Sequence, residues 1–318
     1  MDYPLISICV TCFNAADTIS RAIHSALEQE WPNKEIIIVD DCSTDGSSDL
    51  IQKIIDHNPS VRLIQLERNG GYPAALNTLV SEARGEFVVF FDDDDTSVAC
   101  RVTAQWERIT RYERDKKAEF VLCYSNRSVV VAGDQEVSAI TRAIGRLEPE
   151  PYGPAVADFI LLLLERPPFV WGQFGSCTLM MRREAILTLG GFDTEFRRGA
   201  EWDFAIHASL KGAHFIAVNE SLVTQYLTIG SGNEKSGNGP LRHSLALRRK
   251  YRAFLRARGL FYASIAQAYA RHHYARGNRT PKILWSLAAG ILAPRTLLPH
   301  IVRKSRLFSS LFSLSITK

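Results

Sequence analysis

Four consecutive carboxylates, Asp92 to Asp95, follow the apolar run Phe87-Val88-Val89-Phe90-Phe91 with no basic residue among them. Crowded carboxylates repel, which raises their pKa values unless a cation compensates. A hard divalent ion with oxygen ligands, carrying the phosphates of a nucleotide, is the natural counter-charge. On an extended backbone side chains alternate, which predicts Asp92 with Asp94 on one side and Asp93 with Asp95 on the other. The competing reading is an acidic loop whose last members, Asp95 or Thr96, cap a helix. Capping accounts for one or two acids and leaves the rest unexplained.

A second acidic group lies in Gly199-Ala200-Glu201-Trp202-Asp203-Phe204. Glu201 and Asp203 suit the N-terminus of a helix through its dipole. They equally suit a general base, because transfer of a group onto a hydroxyl needs a carboxylate near that hydroxyl. Spacing alone leaves both readings open.

The elements that must position these groups follow from hydrophobic pattern. Leu5–Val10, Glu35–Val39, Val61–Leu66 and Phe87–Phe91 read as buried strands. Between them, helices are predicted from Asp17 to about Glu28, from Asp49 to Asp56 and from Pro73 onward, where Pro73 suits a first turn. Such alternation with short turns implies an α/β, doubly wound, mostly parallel sheet with helices on both faces. Ligands of these sheets sit at the carboxyl ends of the strands. Thr11–Asn14, Asp40–Asp41, Arg68–Asn69 and Asp92–Asp95 all fall at such ends, and four clusters on one edge imply a site. Further strands are expected at Phe120–Tyr124, Ser128–Val131, Phe174–Met181, Ala213–Val218 and Thr224–Leu227, with helices at Val102–Arg114, Val156–Leu164 and Arg183–Leu189. Residues 133–154 read as a loop able to lie over the site.

Composition bounds the rest. Across 318 residues, 46% are hydrophobic and 23% charged, an ordinary globular balance that argues against disorder. The net charge of +4 hides an asymmetry: the first 234 residues hold 21 basic and all 34 acidic residues, and residues 235–318 hold 17 basic and no acidic ones. That shift predicts a boundary between a domain at 1–234 and a basic helical region at 235–318. The six cysteines are scattered in strand-like and helix-like contexts, which suits reduced cytosolic thiols. Cys9 and Cys12 form a C-x-x-C, but Cys9 lies inside an apolar strand, so both are expected to be buried thiols.

The common nucleotide motifs are missing. No glycine follows the first strand in Thr11–Asp17, and no G-x-x-x-x-G-K-[ST] occurs anywhere. Phosphates without a glycine cradle need a metal. In order and spacing, Ser7–Asn14, Val39–Gly46, Asn69–Asn77, Phe90–Asp95, Gly190–Asp193 and Glu201–Asp203 resemble glycosyltransferase family 2, over roughly residues 5–228. That resemblance implies a GT-A fold, a nucleotide-diphosphate sugar donor, Mn²⁺ or Mg²⁺, and an inverting single displacement of the hexosyltransferase type. By position it implies that Thr11 and Phe13 line the nucleotide pocket and that Asp41 accepts from the base. Arg68 would lie near the diphosphate, with Asp92 and Asp93 at the nucleotide-sugar and Asp94 on the metal. Glu201 stands where an aspartate base is common in the family, so Asp203 and Asp193 remain candidates beside it. The stretch 201–226 is most similar to bacterial enzymes of exopolysaccharide or lipid-linked repeat-unit synthesis.

The basic region predicts helices at Pro240–Arg258 and about Leu260–Arg276. Ile283–Val302 is apolar but carries Pro294, Arg295, Pro299 and His300, which makes it a poor membrane span. Leu307–Leu314 puts bulky residues behind Arg303, Lys304 and Arg306, a pattern for lying in a membrane interface. A helical cap packed on the acidic domain is the alternative. Nucleic acid is not expected as a partner, because no recognised module accompanies the charge. The leading expectation is a transferase acting on a lipid-linked or polysaccharide acceptor, in the cytoplasm, peripheral on the cytosolic face of the inner membrane. The other classes are a nucleotidyltransferase, which would carry a glycine- and basic-rich loop near the first strand, and a non-catalytic assembly factor on a transferase fold.

Overall fold

β1 (Ile6–Cys12) is buried along its whole length and pairs in parallel with β2 (Lys34–Asp40) and β4 (Phe87–Phe91). The structure, a computed structural model, describes residues 3–131, 136–227, 238–299 and 301. Chain contacts divide it into two compact units, Met1–Val156 with Pro167–Gly230, and Ala157–Arg166 with Ser231–Lys318.

In the first unit, β1, α1 (Ile19–Leu27), β2, α2 (Ser47–Ile55), β3 (Val61–Gln65), α3 (Tyr72–Glu82) and β4 alternate as the pattern predicts. They are followed by β5 (Thr96–Ser97), α4 (Arg101–Lys116), β6 (Val121–Val131) and β7 (Ala139–Thr141). Next come α5 (Pro154–Leu162), through which the unit boundary runs, β8 (Met180–Arg182), α6 (Arg183–Thr188), α7 (Ala200–Leu210) and β9 (His214–Leu227). Among the described residues the sheet runs β3-β2-β1-β4-β8-β6-β9-β5, with β7 on β6. β3, β2, β1 and β4 are mutually parallel, as are β6 and β9, and β8 is antiparallel between β4 and β6.

Side-chain alternation explains the two layers. Ile6, Ile8 and Val10, with Ile36, Ile38, Phe87, Val89 and Phe91, form one core with α1, α2 and α4. The intervening residues Cys9, Ile37, Val39, Val88 and Phe90 face the other way, and α3 covers β1 and β2 there. Both faces are closed, which is why these strands read as unbroken apolar runs. Cys9 and Cys12 are buried free thiols, as expected.

Three segments differ from the pattern. Val121–Val131 and His214–Leu227 each form one long strand instead of two, the polar residues Ser125, Asn126 and Arg127 being carried through a register shift between β6 and β9. Phe174–Met181 is not one strand: Ser176–Thr178 is a 3-10 turn and β8 begins only at Met180. Described parts of the 133–154 segment lie along β9, where the Phe215 amide donates to Pro151 O and the Ala217 amide to Gly145 O.

The second unit adds α8 (Gly239–Lys250), α9 (Arg252–Arg256), α10 (Phe261–Ala275) and α11 (Arg279–Leu292). The single helix expected at Pro240–Arg258 breaks at Tyr251. Arg248 is fully buried instead of lying on a basic face, and its guanidinium donates to Ser244, Ser264 and Leu161 carbonyls. Asp158 is buried within the same unit and pairs with Arg166 and Arg258. Among the described residues no helix is long and apolar enough to cross a membrane. The segment Leu307–Leu314 lies outside the described residues.

Candidate active site at the carboxyl edge of the sheet

The carboxyl ends of β1, β2 and β4 converge, and short polar bonds lock them together. Phe13 donates its amide to Asp93 Oδ2 at 2.9 Å, so the turn after β1 is tied to the acidic turn after β4. Asp41, at the end of β2, accepts the amides of Gly70 (2.7 Å) and Gly71 (2.8 Å), one on each carboxylate oxygen. Gly71 has φ +84°, a left-handed conformation that glycine adopts without strain, and it allows the chain to turn from β3 into α3. Thr11 is buried at the end of β1, Phe13 is half exposed, and Arg68 is exposed in the turn after β3.

The four aspartates do not alternate as an extended strand would. Asp93 and Asp94 form a turn, which brings Asp92 and Asp95 to the same place. Carboxylate oxygens of Asp92 and Asp95 and the Cys177 sulfur lie within 4.8 Å of one another. Tyr72, at the start of α3, donates to Asp92 Oδ1 at 2.9 Å and meets Ser176 Oγ at 2.6 Å. Asp95 Oδ1 accepts the amide of Tyr226 at 3.2 Å, and Asp95 Oδ2 is buried without a partner. The Asp94 carbonyl accepts from Arg21, whose guanidinium lies 3.9 Å over the Tyr226 ring.

Electrostatics show a site short of positive charge. Burial, then the neighbouring carboxylates, push Asp92 and Asp95 well above the usual carboxylate range. Burial likewise pushes Asp93 up to about 7, against the hydrogen bond from Phe13. Arg101, fully buried in α4, lies beneath this turn and donates to Phe90 O (2.9 Å), Ser97 Oγ (2.9 Å) and Gln105 Oε1 (3.0 Å). Arg127, beside the turn, also acts on Asp92 and Asp95, yet with both guanidinium groups present these carboxyls stay raised. The orphaned Asp95 oxygen and an oxygen-rich donor set therefore fit a bound hard cation. Asp92 and Asp95, with Asp94 on the same turn, are the residues able to hold one.

Glu201 reaches the same cavity from α7. The cavity, about 400 Å³, is lined by Tyr72, Asp92, Arg127, Ser176, Glu201 and Trp202, among others. Burial raises the Glu201 pKa, and Arg127 and Arg198 partly offset that shift. Asp203 is buried in the first turn of the same helix and is not among the lining residues. α7 is held in place by the preceding turn. Asn77 of α3 accepts the Phe192 amide at 2.8 Å and donates to its carbonyl at 2.7 Å. Phe192 then packs on Phe204 of α7 and Phe90 of β4. Gly191 has φ +72°, and a Cβ there would lie 2.6 Å from Asn77 Oδ1.

Residues 7–116 match the family model described as Glycosyl transferase family 2. Over these residues the chain is similar to glycosyl transferase family 2. The matched segment holds the strand-end residues described above from Thr11 to Asp95.

Two relatives extend the comparison. The chain is 41% identical over 92 residues to the Putative teichuronic acid biosynthesis glycosyltransferase TuaG of Bacillus subtilis, covering 29% of this chain and 36% of the relative. It is 44% identical over 105 residues to the Succinoglycan biosynthesis protein ExoO of Rhizobium meliloti, covering 33% and 30%. The chain thus spans about a third of the length of these curated relatives. Among solved structures, the mannosyltransferase PcManGT of Pyrobaculum calidifontis, in complex with GDP-Man and Mn²⁺, superposes with a TM-score of 0.55 at 17% identity. That match covers 100% of this chain and 89% of that one. The fold is GT-A.

Outside the reach of sequence spacing were Tyr72, Arg101, Arg127, Ser176 and Cys177. Tyr72 carried a usable signal, since it follows the Gly70-Gly71 turn at a strand's carboxyl edge. The others arrive from α4, β6 and the turn before β8, where nothing in their own spacing points to the aspartates.

Proposed function

We propose that this chain is an inverting glycosyltransferase, moving a sugar from a nucleotide-diphosphate donor to a hydroxyl of a lipid-linked or polysaccharide acceptor. The observation that carries the reading is the meeting of Asp92, from the acidic turn, and Glu201, from α7, in one cavity on a family 2 sheet. Relatives whose names place them in teichuronic acid and succinoglycan biosynthesis support the polysaccharide setting.

Thr11, Phe13, Asp41 and Asp93 would line the nucleotide, with Arg68 toward the diphosphate. Mn²⁺ or Mg²⁺ held by Asp92, Asp94 and Asp95 would supply the positive charge that a departing diphosphate needs. Glu201 takes the proton from the acceptor hydroxyl as that oxygen attacks the sugar's C1 from the side opposite the nucleotide. The electron pair of the C1–O bond leaves with the diphosphate, and configuration at C1 inverts because one displacement occurs. Burial favours this role, since a carboxylate with a raised pKa is a stronger base. Trp202 beside Glu201 offers an aromatic face to a sugar ring. The proposed location is the cytosolic face of the inner membrane, peripherally bound, where a lipid-linked acceptor is presented and a basic C-terminal region meets anionic headgroups.

The test is donor turnover with a panel of nucleotide sugars, with and without Mn²⁺ or Mg²⁺. Asp94→Ala should lose metal-dependent nucleotide binding, and Glu201→Gln should bind donor yet transfer nothing. Normal transfer by Glu201→Gln would move the base to Asp203 or Asp193. Absence of affinity for every donor and for both ions would overturn the reading.

A further inference from the structure

In the C-terminal helical unit, one apolar face of α11 is half or more exposed among the described residues. In α11, Ile283, Leu284, Leu287 and Ile291 are 54%, 61%, 50% and 79% exposed. At about 100° per residue they fall within a single stripe roughly 100° wide. The opposite side of α11 is the packed side: Trp285 stacks on Tyr269 of α10 at 4.6 Å and Ala289 is buried, whereas Gly290, at the edge of the stripe, is buried against the Leu298 and Ile301 side chains. The stripe is therefore not the core face of the helical hairpin. It is surplus apolar surface, and the spacing is that of an amphipathic helix with its second face unused.

What covers the stripe must tolerate a strongly basic setting. Residues 235–318 hold 17 basic residues and no acidic ones, and Arg276, Arg279 and Arg295 bracket the stripe as exposed side chains. A second copy of this chain would bring another such region against the first, at the cost of like-charge repulsion. An anionic phospholipid bilayer accepts both features at once, apolar side chains into the acyl boundary and guanidinium groups among the phosphates. Fourteen residues span only about 21 Å as a helix, short of the ~30 Å hydrocarbon core, so α11 can lie along a bilayer and not cross it.

We propose that the face of α11 formed by Ile283, Leu284, Leu287 and Ile291 is a docking surface for an anionic phospholipid bilayer, with the helix lying in the interface plane. This deepens the proposed function by naming the surface that meets the membrane, and its test needs no sugar donor.

The experiment is cosedimentation of the full chain with phosphatidylcholine vesicles, with and without phosphatidylglycerol, for the native chain and for a Leu284→Gln, Leu287→Gln, Ile291→Gln triple variant. The native chain is expected to partition to phosphatidylglycerol vesicles at least tenfold more strongly than to pure phosphatidylcholine, and to release in high salt. The triple variant is expected to lose at least tenfold in partitioning while keeping its far-ultraviolet circular dichroism and nucleotide binding. Undiminished partitioning of the triple variant overturns the proposal, including the case in which truncation after Ile301 alone abolishes binding and assigns the membrane contact to residues 302–318. A native dimer in sedimentation velocity that the triple variant converts to monomer, without vesicle binding by either, assigns the face to a second copy and also overturns it. Loss of donor turnover with vesicle binding intact would sink the transferase reading and leave this one standing.

Discussion

Tyr72 donates its hydroxyl to Asp92 Oδ1 at 2.9 Å, linking the first turn of α3 to the acidic turn after β4. That bond opposes the burial and the Asp94 charge that raise the Asp92 pKa, so it favours the ionised form that a cation needs. Tyr72→Phe removes the donor and little volume. Its expected effect is a loss of about tenfold in Mn²⁺ affinity, the scale of one hydrogen bond to a charged group. Calorimetric titration with Mn²⁺ in the presence of a nucleoside diphosphate checks it, and unchanged affinity would remove Asp92 from the metal site.

The raised carboxylates fix the sign of a pH dependence. Asp92, Asp93 and Asp95 all have folded-state pKa values above the ordinary carboxylate range, Asp93 at about 7. The native state therefore holds more protons than the unfolded one between about pH 4 and the raised values. Stability from these groups is fully present below about pH 4 and is lost as pH climbs through the folded pKa values. Without divalent ions, the melting temperature is expected to fall between pH 5.5 and pH 8 beyond any drift seen in an Asp93→Asn, Asp95→Asn variant. Mn²⁺ should restore more stability at pH 8 than at pH 5.5, since it binds the ionised form. Equal Mn²⁺ stabilisation at both pH values would count against the acidic turn as its site.

Much of this arrangement was legible in the chain, and the limits have physical causes. β1, β2 and β4 are buried on both faces, so their apolar runs and the polar residues ending them stand out. The pairing of Asp92 with Asp95 was not legible, because a turn at Asp93 and Asp94 replaces the alternation of an extended strand. Cys177 and Ser176 reach the site because β8 inserts antiparallel beside β4, a long-range pairing with no local signature. Arg101 sits in a helix with the composition of a solvated one, and only the fold reveals that it is fully buried. Likewise Arg248 reads as part of a basic face, and only its carbonyl partners show it to be interior.

Glu201 gives a kinetic signature. Its pKa is raised by burial above the ordinary 4.5, so a rate that depends on its ionised form should rise with pH through that elevated value. Glu201→Asp keeps a carboxylate but shortens the reach. It is expected to retain measurable transfer, whereas Glu201→Gln should lose about 10²–10⁴-fold in kcat with donor KM little changed. A pH–rate profile that is identical in native and Glu201→Asp proteins would point away from this residue.

Asn77 holds the Gly191-Phe192 turn by two backbone bonds, and Phe192 in turn supports α7. Asn77→Ala leaves the amide and carbonyl of buried Phe192 without partners, at a cost of about 1–3 kcal/mol. Because the turn positions Glu201 and is remote from the acidic turn's own bonds, the variant should lose kcat more than nucleotide affinity. Denaturant unfolding and a nucleotide titration read the two effects separately.

Within the helical unit, Asp158 is buried and pairs with both Arg166 and Arg258, in a part of the chain where basic residues greatly outnumber acids. Removing the carboxylate takes away the counter-charge that the two guanidinium groups share. Both are partly exposed, 43% for Arg166 and 31% for Arg258, so solvent carries some of the loss. Asp158→Ala is therefore expected to destabilise by about 2 kcal/mol, less than a fully buried pair would. Asp158→Asn, which keeps shape and one acceptor, should lose less, and adding Arg258→Met to Asp158→Ala should recover part of the stability by removing a repelling charge. If the double variant is no more stable than Asp158→Ala in urea unfolding, the arginines do not repel measurably and the carboxylate acts through hydrogen bonding alone.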